Sequence, residues 1–390
     1  MIRIAIVTTT RAEYGLMRQL LFAMQRDSEI DMNLIVSGTH LSPTFGMTVN
    51  EILEDGIAIK DQIDILSEKE GKVDVAKTFS NAISKFSDHF EQNKYDYLLI
   101  DGDRYEIFAA AISAVISGIP VIHCAGGATT EGANDEYWRH AITKISSIHF
   151  PTMEIYRQRI IQMGEDPERV FVVGSLGLEN IRCMKFSPIE DIEKKVGLKL
   201  NMPFALVTFH PVTLENHTAK EQINELLAAC EEVKDMKFIF TKANADADGD
   251  IINEELDKYT SMHPDRMACV TSLGAQLYLS AMSYCDFVMG NSSSGLIEAP
   301  SFKIPTINIG DRQKGREQAT SIVNCAALKE EILCAIQKAR SETFRHQCEQ
   351  TVNPNGDGYT CAKIISRIKE IHGSGIDIRR KSFYDIKWAK

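Results

Sequence analysis

Short runs of aliphatic and β-branched residues alternate with segments of helical apolar spacing along most of this chain, and that alternation limits its fold more than any other feature. Continuous apolar runs of this length are strands buried on both faces, the mark of parallel sheets. Parallel strands need crossover helices, so the pattern predicts doubly wound α/β architecture. The first series of strands reads Ile2–Thr8, Met32–Val36, Tyr97–Asp101, Pro120–His123 and Val170–Val173. A second series reads Phe204–Thr208, Lys237–Phe240, Met267–Val270, Asp286–Met289 and Pro305–Ile309. Between strands, Tyr14, Met17, Leu21 and Met24, and later Phe79, Ile83, Phe86 and Phe90, fall on single helical faces.

The series breaks near Glu179–Asn201, where a charged helix (Glu190–Lys195) ends in a polar turn before Pro203. This predicts an N-terminal Rossmann-like domain over 1–178 and a C-terminal one over 179–373. The segment 374–390, polar and then aromatic at Phe383, Tyr384 and Trp388, is expected to pack back on the first domain. A length of 390 residues suits two domains of ~100–200 each.

Charge and cysteine usage narrow the function classes. The 43 basic and 54 acidic side chains give a net charge of −11, which argues against a broad basic nucleic-acid face but leaves room for a phosphate held by local donors. The nine cysteines include no C-x-x-C pair, so neither a zinc ribbon nor a disulfide framework is expected, and a reducing, cytoplasmic setting follows. The opening MIRIAIVTTT reads as a strand rather than a secretion signal. The apolar run Phe108–Ile122 falls short of the ~20 residues of a membrane span and is interrupted by Gly118 and Pro120.

In open α/β sheets, ligands bind beyond the carboxyl ends of the strands, and five unusual clusters lie there. Thr8–Glu13 combines small hydroxyls with Arg11 where a helix begins, which suits an anion; a threonine cap beside a surface Arg–Glu pair would use the same letters. No glycine-rich dinucleotide fingerprint accompanies it, which disfavours a dehydrogenase. Asp101–Glu106 sets two carboxylates and Arg104 at a strand end, either a charged catalytic corner or a metal cradle, with Asp103 also placed to cap the next helix. His123–His140 is a glycine loop (Gly126, Gly127, Gly132) with Glu131, Asp135 and Glu136 around it and Arg139 and His140 one turn on. His210-Pro211 ends the first strand of the second domain, where a histidine can bind phosphate or move protons. Gly290–Pro300 places Ser292, Ser293, Ser294 and Gly295 between a strand and a short helix, with Glu298 a turn later; this is a diphosphate cradle with a carboxylate set for ribose hydroxyls. Farther on, Arg312, Lys314 and Arg316 in Gly310–Arg316 offer a second anion contact, a domain-closing latch or merely a solvated basic loop.

Together these clusters resemble the hydrolysing UDP-N-acetylglucosamine 2-epimerases of nonulosonic (sialic-type) acid biosynthesis, over about Ile2 to Lys369. The specific pieces are Arg11-Ala12-Glu13-Tyr14, Gly102–Glu106, Thr130–Glu136, Arg139–Lys144, Gly174-Ser175, His210-Pro211, Gly290–Gly295 and Gly310–Arg316. The resemblance implies a GT-B type fold, two Rossmann-like domains with an interdomain cleft and the nucleotide mainly on the second. It implies that Ser292, Ser293 and Ser294 hold phosphates, Glu298 the ribose, and Arg11 and His210 the diphosphate side, with Arg312 and Lys314 as further anion contacts. Asp103, Glu131 and Asp135, with His210, form the acid–base set. The implied reaction removes the C2 proton while UDP leaves C1, then hydrates the resulting glycal to N-acetylmannosamine. No metal and no redox or other cofactor is expected. The expected partners are the UDP-sugar substrate and UDP product and a second copy of the chain, with neither nucleic acid nor membrane.

The sequence departs from that family's pattern at one point. Ala128 stands where the family usually carries Asp or Glu, and Ala125 where some relatives have Glu or His. Either this chain is impaired by the change, or Glu131 does the work instead. Three other readings stay open: the same chemistry on a nucleotide-linked 2,4-diacetamido-2,4,6-trideoxy sugar of a legionaminic-type pathway, a GT-B glycosyltransferase, and a non-enzymatic nucleotide-sugar sensor.

Overall fold

A computed structural model describes residues 1–67, 72–129, 135–211, 218–243 and 249–386. The chain divides into two compact units, Met1–Cys183 with Asn355–Lys390, and Met184–Pro354. Each is built on a six-stranded parallel sheet flanked by helices.

The first sheet runs in the order β3-β2-β1-β4-β5-β6. Its strands are β1 (Ile2–Thr8), β2 (Ile30–Ser37), β3 (Ile59–Ile63), β4 (Tyr97–Asp101), β5 (Val121–Cys124) and β6 (Ile148–Phe150). The order reverses direction between β1 and β4, the switch point at which such sheets open a crevice for ligands. One face packs Ile4, Ile6, Leu34 and Leu99 against the helix Arg11–Arg26 through Met17, Leu20 and Leu21; the other packs Ala5, Val7, Leu98 and Ile100 against Phe86, Phe90 and Ile107. Burial on both faces is why these strands read as unbroken apolar runs.

The second sheet runs β12-β11-β10-β7-β8-β9. Its strands are β7 (Phe204–Thr208), β8 (Lys237–Thr241), β9 (Met267–Val270), β10 (Phe287–Gly290), β11 (Thr306–Ile309) and β12 (Ile322–Cys325). The switch point here falls between β7 and β10, so the ends of those two strands, at Thr208 and Gly290, lie side by side.

Strands β3, β6 and β12 escape the apolar-run reading for physical reasons. The sequence IKDQI of β3 alternates at a sheet edge, β6 has three residues with a histidine at its centre, and β12 (IVNC) is again an edge strand. The expected strand Val170–Val173 is extended chain that donates from Phe171 N to His149 O and from Val173 N to Pro151 O, with one bridge to β6 rather than a full ladder.

The expected domain boundaries need correction at the C-terminal side. The helix Thr360–Gly373, read as part of the second domain, packs on the first unit: Ile364 and Ile368 are fully buried in the cluster that holds Leu20 and Leu21. Two such side chains contribute about 1.5–3 kcal/mol each. Thr360 Oγ1 also donates to the carbonyls of Val173 and Ser175, and Ser175 N donates to Asn355 O. An amphipathic helix shows from sequence that one face is buried, but not against which domain. Beyond it, Ile378 joins the first unit's core and Tyr384 N donates to Gly164 O.

Candidate functional site

In the first unit, the ends of β1, β4 and β5 supply the groups. After β1, the Thr10–Glu13 capping box starts the helix Arg11–Arg26. The buried Glu13 carboxylate accepts from Thr9 N (2.7 Å), Thr9 Oγ1 (2.9 Å) and Thr10 N (3.2 Å). Burial pushes its pKa up to about 8 against the pull of the Thr9 bonds. Glu13 is thus a brace for the Thr8–Thr10 turn. Arg11 is different: its side chain is 67% exposed and pairs with Glu51 at 3.1 Å. His40, fully buried, bridges Thr8 Oγ1 (3.1 Å) and Thr48 Oγ1 (2.8 Å), and burial lowers its pKa to about 4, so it is neutral.

Beyond β4 the carboxylates and cations interlock. Arg139, on the helix Asp135–Ile145, donates from Nε to Asp103 Oδ2 at 2.9 Å and pairs with the same oxygen through a second nitrogen. Its Nη1 reaches Glu136 (3.0 Å) and the carbonyl of Ala128 (3.2 Å). Arg104 pairs with the fully buried Glu106 at 2.7 Å and stands 4.0 Å from Glu13. Asp135 opens its helix, and its pKa is raised, first by burial and then by Asp103, while Arg104 and Arg139 oppose the rise. Asp103 and Asp135 are therefore brought together. Glu131 lies outside the described residues.

The loop after β5 is held in one shape. A Cβ at Gly127 (φ +80°) would sit 2.5 Å from Tyr156 O, so no larger residue fits without backbone movement. Ala125 takes a left-handed φ of 62° and still bonds from its N–H to Phe150 O; such strain is found where surrounding structure fixes it, often at functional sites. His123, fully buried, meets Gly102 O at 2.9 Å and Thr143 Oγ1 at 3.3 Å, and burial lowers its pKa to about 3. It is a neutral strut between the β4 and β5 loops.

In the second unit, Asn291 organises the site. It is fully buried; its Oδ1 accepts from His210 N (2.7 Å) and its Nδ2 donates to His210 O (2.8 Å). Its carbonyl accepts from Arg312 (3.0 Å) and Gln313 (2.8 Å), and its N–H donates to Thr208 O (3.1 Å). One asparagine thus ties together the ends of β7 and β10 and the loop after β11. Gly290 allows this: at φ +128° a Cβ would lie 1.9 Å from Thr208 O. Ser292 Oγ accepts from Ser294 N at 3.4 Å, and Gly295 is seated by Thr306 Oγ1, which donates to its carbonyl at 2.9 Å.

Around this turn, Ser294 Oγ, Glu298 Oε2 and the Tyr278 hydroxyl are buried, and the Ser294 hydroxyl acts on both Glu298 and Tyr278. Burial pushes Glu298 up to about 7. Lys314 is instead on the surface, paired with Asp311 at 3.3 Å.

The structure therefore gathers Asp103 and Asp135 in one unit, and His210, Ser292, Ser293, Ser294, Gly295, Glu298 and Arg312 in the other, while Arg11 and Lys314 stand at exposed edges. Sequence reasoning missed His40 and Tyr278, and named Glu13, Glu106, Gln313 and Asn291 only as members of larger clusters. The signal for Asn291 was present: a polar residue directly between a buried strand and a serine turn must satisfy its amide locally.

Comparison with known proteins fits this geometry. The sequence profile described as UDP-N-acetylglucosamine 2-epimerase matches residues 22–369. A Campylobacter jejuni protein named GDP/UDP-N,N'-diacetylbacillosamine 2-epimerase (hydrolyzing) is 39% identical over 383 residues, covering 96% of this chain and 99% of that protein. Polysialic acid biosynthesis protein P7 of Escherichia coli is 38% identical, over 98% of this chain and 97% of its own. Among solved structures, a putative UDP-N-acetylglucosamine 2-epimerase from Listeria monocytogenes superposes with a TM-score of 0.81 at 17% identity, covering 98% of this chain and 100% of that one, which establishes a shared fold. With the profile spanning most of its length and relatives well above 30% identity over nearly all of it, the chain belongs to the UDP-N-acetylglucosamine 2-epimerase family.

Proposed function

We propose that the protein is a hydrolysing 2-epimerase that converts UDP-N-acetylglucosamine and water to N-acetylmannosamine and UDP. The observation that carries the reading is the charged cluster beyond the first sheet, where Asp103 is ion-paired with Arg139 and Asp135 lies in the field of Asp103, Arg104 and Arg139. The C2 proton of such a sugar is barely acidic, so a carboxylate must take it as the diphosphate leaves C1 with the bonding electrons. Water then adds across the glycal, hydroxide to C1 and a proton to C2. Asp103 and Asp135, with Glu131, serve as the acid–base set. Ser292, Ser293, Ser294, Gly295 and Arg312 hold the diphosphate, where donors strengthen as charge develops; Arg11 and Lys314 add exposed cations, His210 serves the leaving group, and Glu298 with Ser294 and Tyr278 receives the ribose.

A second substrate has a specific observation behind it: the Campylobacter jejuni relative is named as a GDP/UDP-N,N'-diacetylbacillosamine 2-epimerase (hydrolyzing). The same chemistry would then act on a UDP-linked 2,4-diacetamido-2,4,6-trideoxy sugar. All nine cysteines are free, which supports a reducing, cytoplasmic setting, and no helix among the described residues is long and apolar enough to cross a membrane. The protein is proposed to work as a homo-oligomer.

NMR of each UDP-sugar with the protein in deuterated water tests the reading. Release of UDP with deuterium at C2 of an epimerised sugar supports it, and the sugar that turns over names the substrate. Transfer to an acceptor without C2 exchange would refute it. An Ala128→Glu variant run in parallel decides whether an acid at that position raises the rate.

A further inference from the structure

Asp101 ends β4, two residues before Asp103, and nothing in the mechanism above uses it. Only 3% of it is exposed, and what acts on its carboxyl is burial and the neighbouring Asp103 charge, with no hydrogen bond among the causes. A buried carboxyl without a partner is unfavourable in either protonation state unless water or a ligand reaches it. It borders a small cavity of about 40 Å³ at the ends of β4, β5 and β6. That exceeds the ~10–15 Å³ one ordered water needs. The cavity also touches Ala125, whose left-handed backbone opens the β5 loop, and Ser175, whose loop is tied to Asn355.

We propose that Asp101 is a proton-lending residue of the hydration step, acting through water in the cavity that it shares with Ala125 and Ser175. This rests on the epimerase reading and deepens it. In the elimination half, the C2–H bond breaks, its proton goes to a base, its electron pair forms the C1=C2 bond, and the C1–O pair leaves on the diphosphate. In the hydration half, the Asp101 O–H bond breaks and its proton passes through a water to C2. The water that adds hydroxide to C1 leaves one proton, which restores Asp101, and the base passes the proton it took from C2 to the departed diphosphate or to solvent. Protons balance and no oxidant or reductant enters.

The surroundings fit a group that lends a proton near neutrality. Burial, and then the Asp103 charge, raise its pKa to about 7. The other titratable groups facing it are the Cys124 thiol on β5 and, behind that, Cys361 of the helix Thr360–Gly373; burial raises both, so they stay neutral. The remaining walls, including Leu16, Phe150 and Ile364, carry no charge. Asp103 and Asp101, two positions apart on one strand end, thus divide the labour: one is ion-paired with Arg139, the other is kept from charging by burial, the pattern that separates base from acid.

The test compares the full-length wild type with Asp101→Asn under saturating UDP-sugar. We expect free-sugar formation to fall on the order of 10²-fold, as for loss of a general acid, with KM unchanged. UDP and glycal should appear together, because elimination outruns hydration, and the limb of the wild-type rate profile near pH 7 should vanish. A purely structural role would release no glycal. Asp101→Ser, which leaves space for water, carries the same expectation should the asparagine variant misfold. Wild-type turnover with variants that match its rate, pH profile and products would overturn the assignment of Asp101 alone; absence of wild-type turnover on any UDP-sugar would overturn the epimerase reading and this inference with it.

Discussion

Replacing Asn291 by alanine should unseat His210 without touching it. The side chain is fully buried and its amide satisfies both backbone groups of His210, at 2.7 and 2.8 Å. Removing it takes both of these side-chain bonds from the buried His210 backbone. Each loss costs about 1–3 kcal/mol, so roughly 2–6 kcal/mol is expected, set against the 0.5–1.5 kcal/mol net of an exposed bond. The backbone bonds of Asn291 to Thr208, Arg312 and Gln313 survive, so the β10 turn should persist while the β7 loop loosens. In a unit of this size, about 3 kcal/mol corresponds to a fall in Tm of roughly 6–12 °C. Urea melts, with and without UDP, would read the stability, and calorimetric titration with UDP the binding. Asn291→Asp separates the two bonds, since it keeps the acceptor for His210 N and turns the donor toward His210 O into a second acceptor. A variant Asn291→Ala within 1 kcal/mol of wild type, with unchanged UDP affinity, would refute the claim that this residue holds the loop.

Gly290→Ala should destabilise the second unit by more than about 3 kcal/mol, because a Cβ at φ +128° meets Thr208 O at 1.9 Å; a soluble variant with wild-type melting would contradict that geometry. Asp103→Asn and Asp135→Asn should each lower kcat by about 10²–10⁴-fold with folding intact by circular dichroism, and normal rates would remove them from the acid–base set. Glu165 provides a pH test. Burial alone would raise its pKa, but bonds from His149, Lys144 and Lys381 outweigh this and bring it to about 2, below the ordinary 4.5. Its folded pKa is depressed, so its stabilisation is present above pH 4.5 and fades as pH falls toward 2. Lys381→Met should shrink that acid-dependent change in Tm, and an unaltered pH–Tm curve would show that the tail residue does not share the pair.

Particular residues show where legibility stopped. Asp103 and Asp135 stood out in the sequence as acids in the segments that follow apolar strands, whose ends face ligands in such sheets. Asp101 was read only as part of the same acidic corner: its letter looks like that of Asp103, and only the neighbours decide that one meets Arg139 and the other a cavity. Arg11 and Lys314 looked equal to Arg312 as cations, yet both stand exposed beside carboxylates while Arg312 reaches the carbonyl of Asn291.

The sequence by itself determined the strand–helix alternation, hence two parallel sheets, and the placing of acids, serines and glycines at strand ends. Those features are local: periodicity and turn chemistry are written in neighbouring residues. Tertiary structure alone decided the strand order and its switch points, the return of the helix Thr360–Gly373 to the first unit, the Asn291 keystone and the isolation of Asp101. Each of these depends on contacts between residues far apart in the chain, and burial and charge are properties of those contacts rather than of the residues that make them.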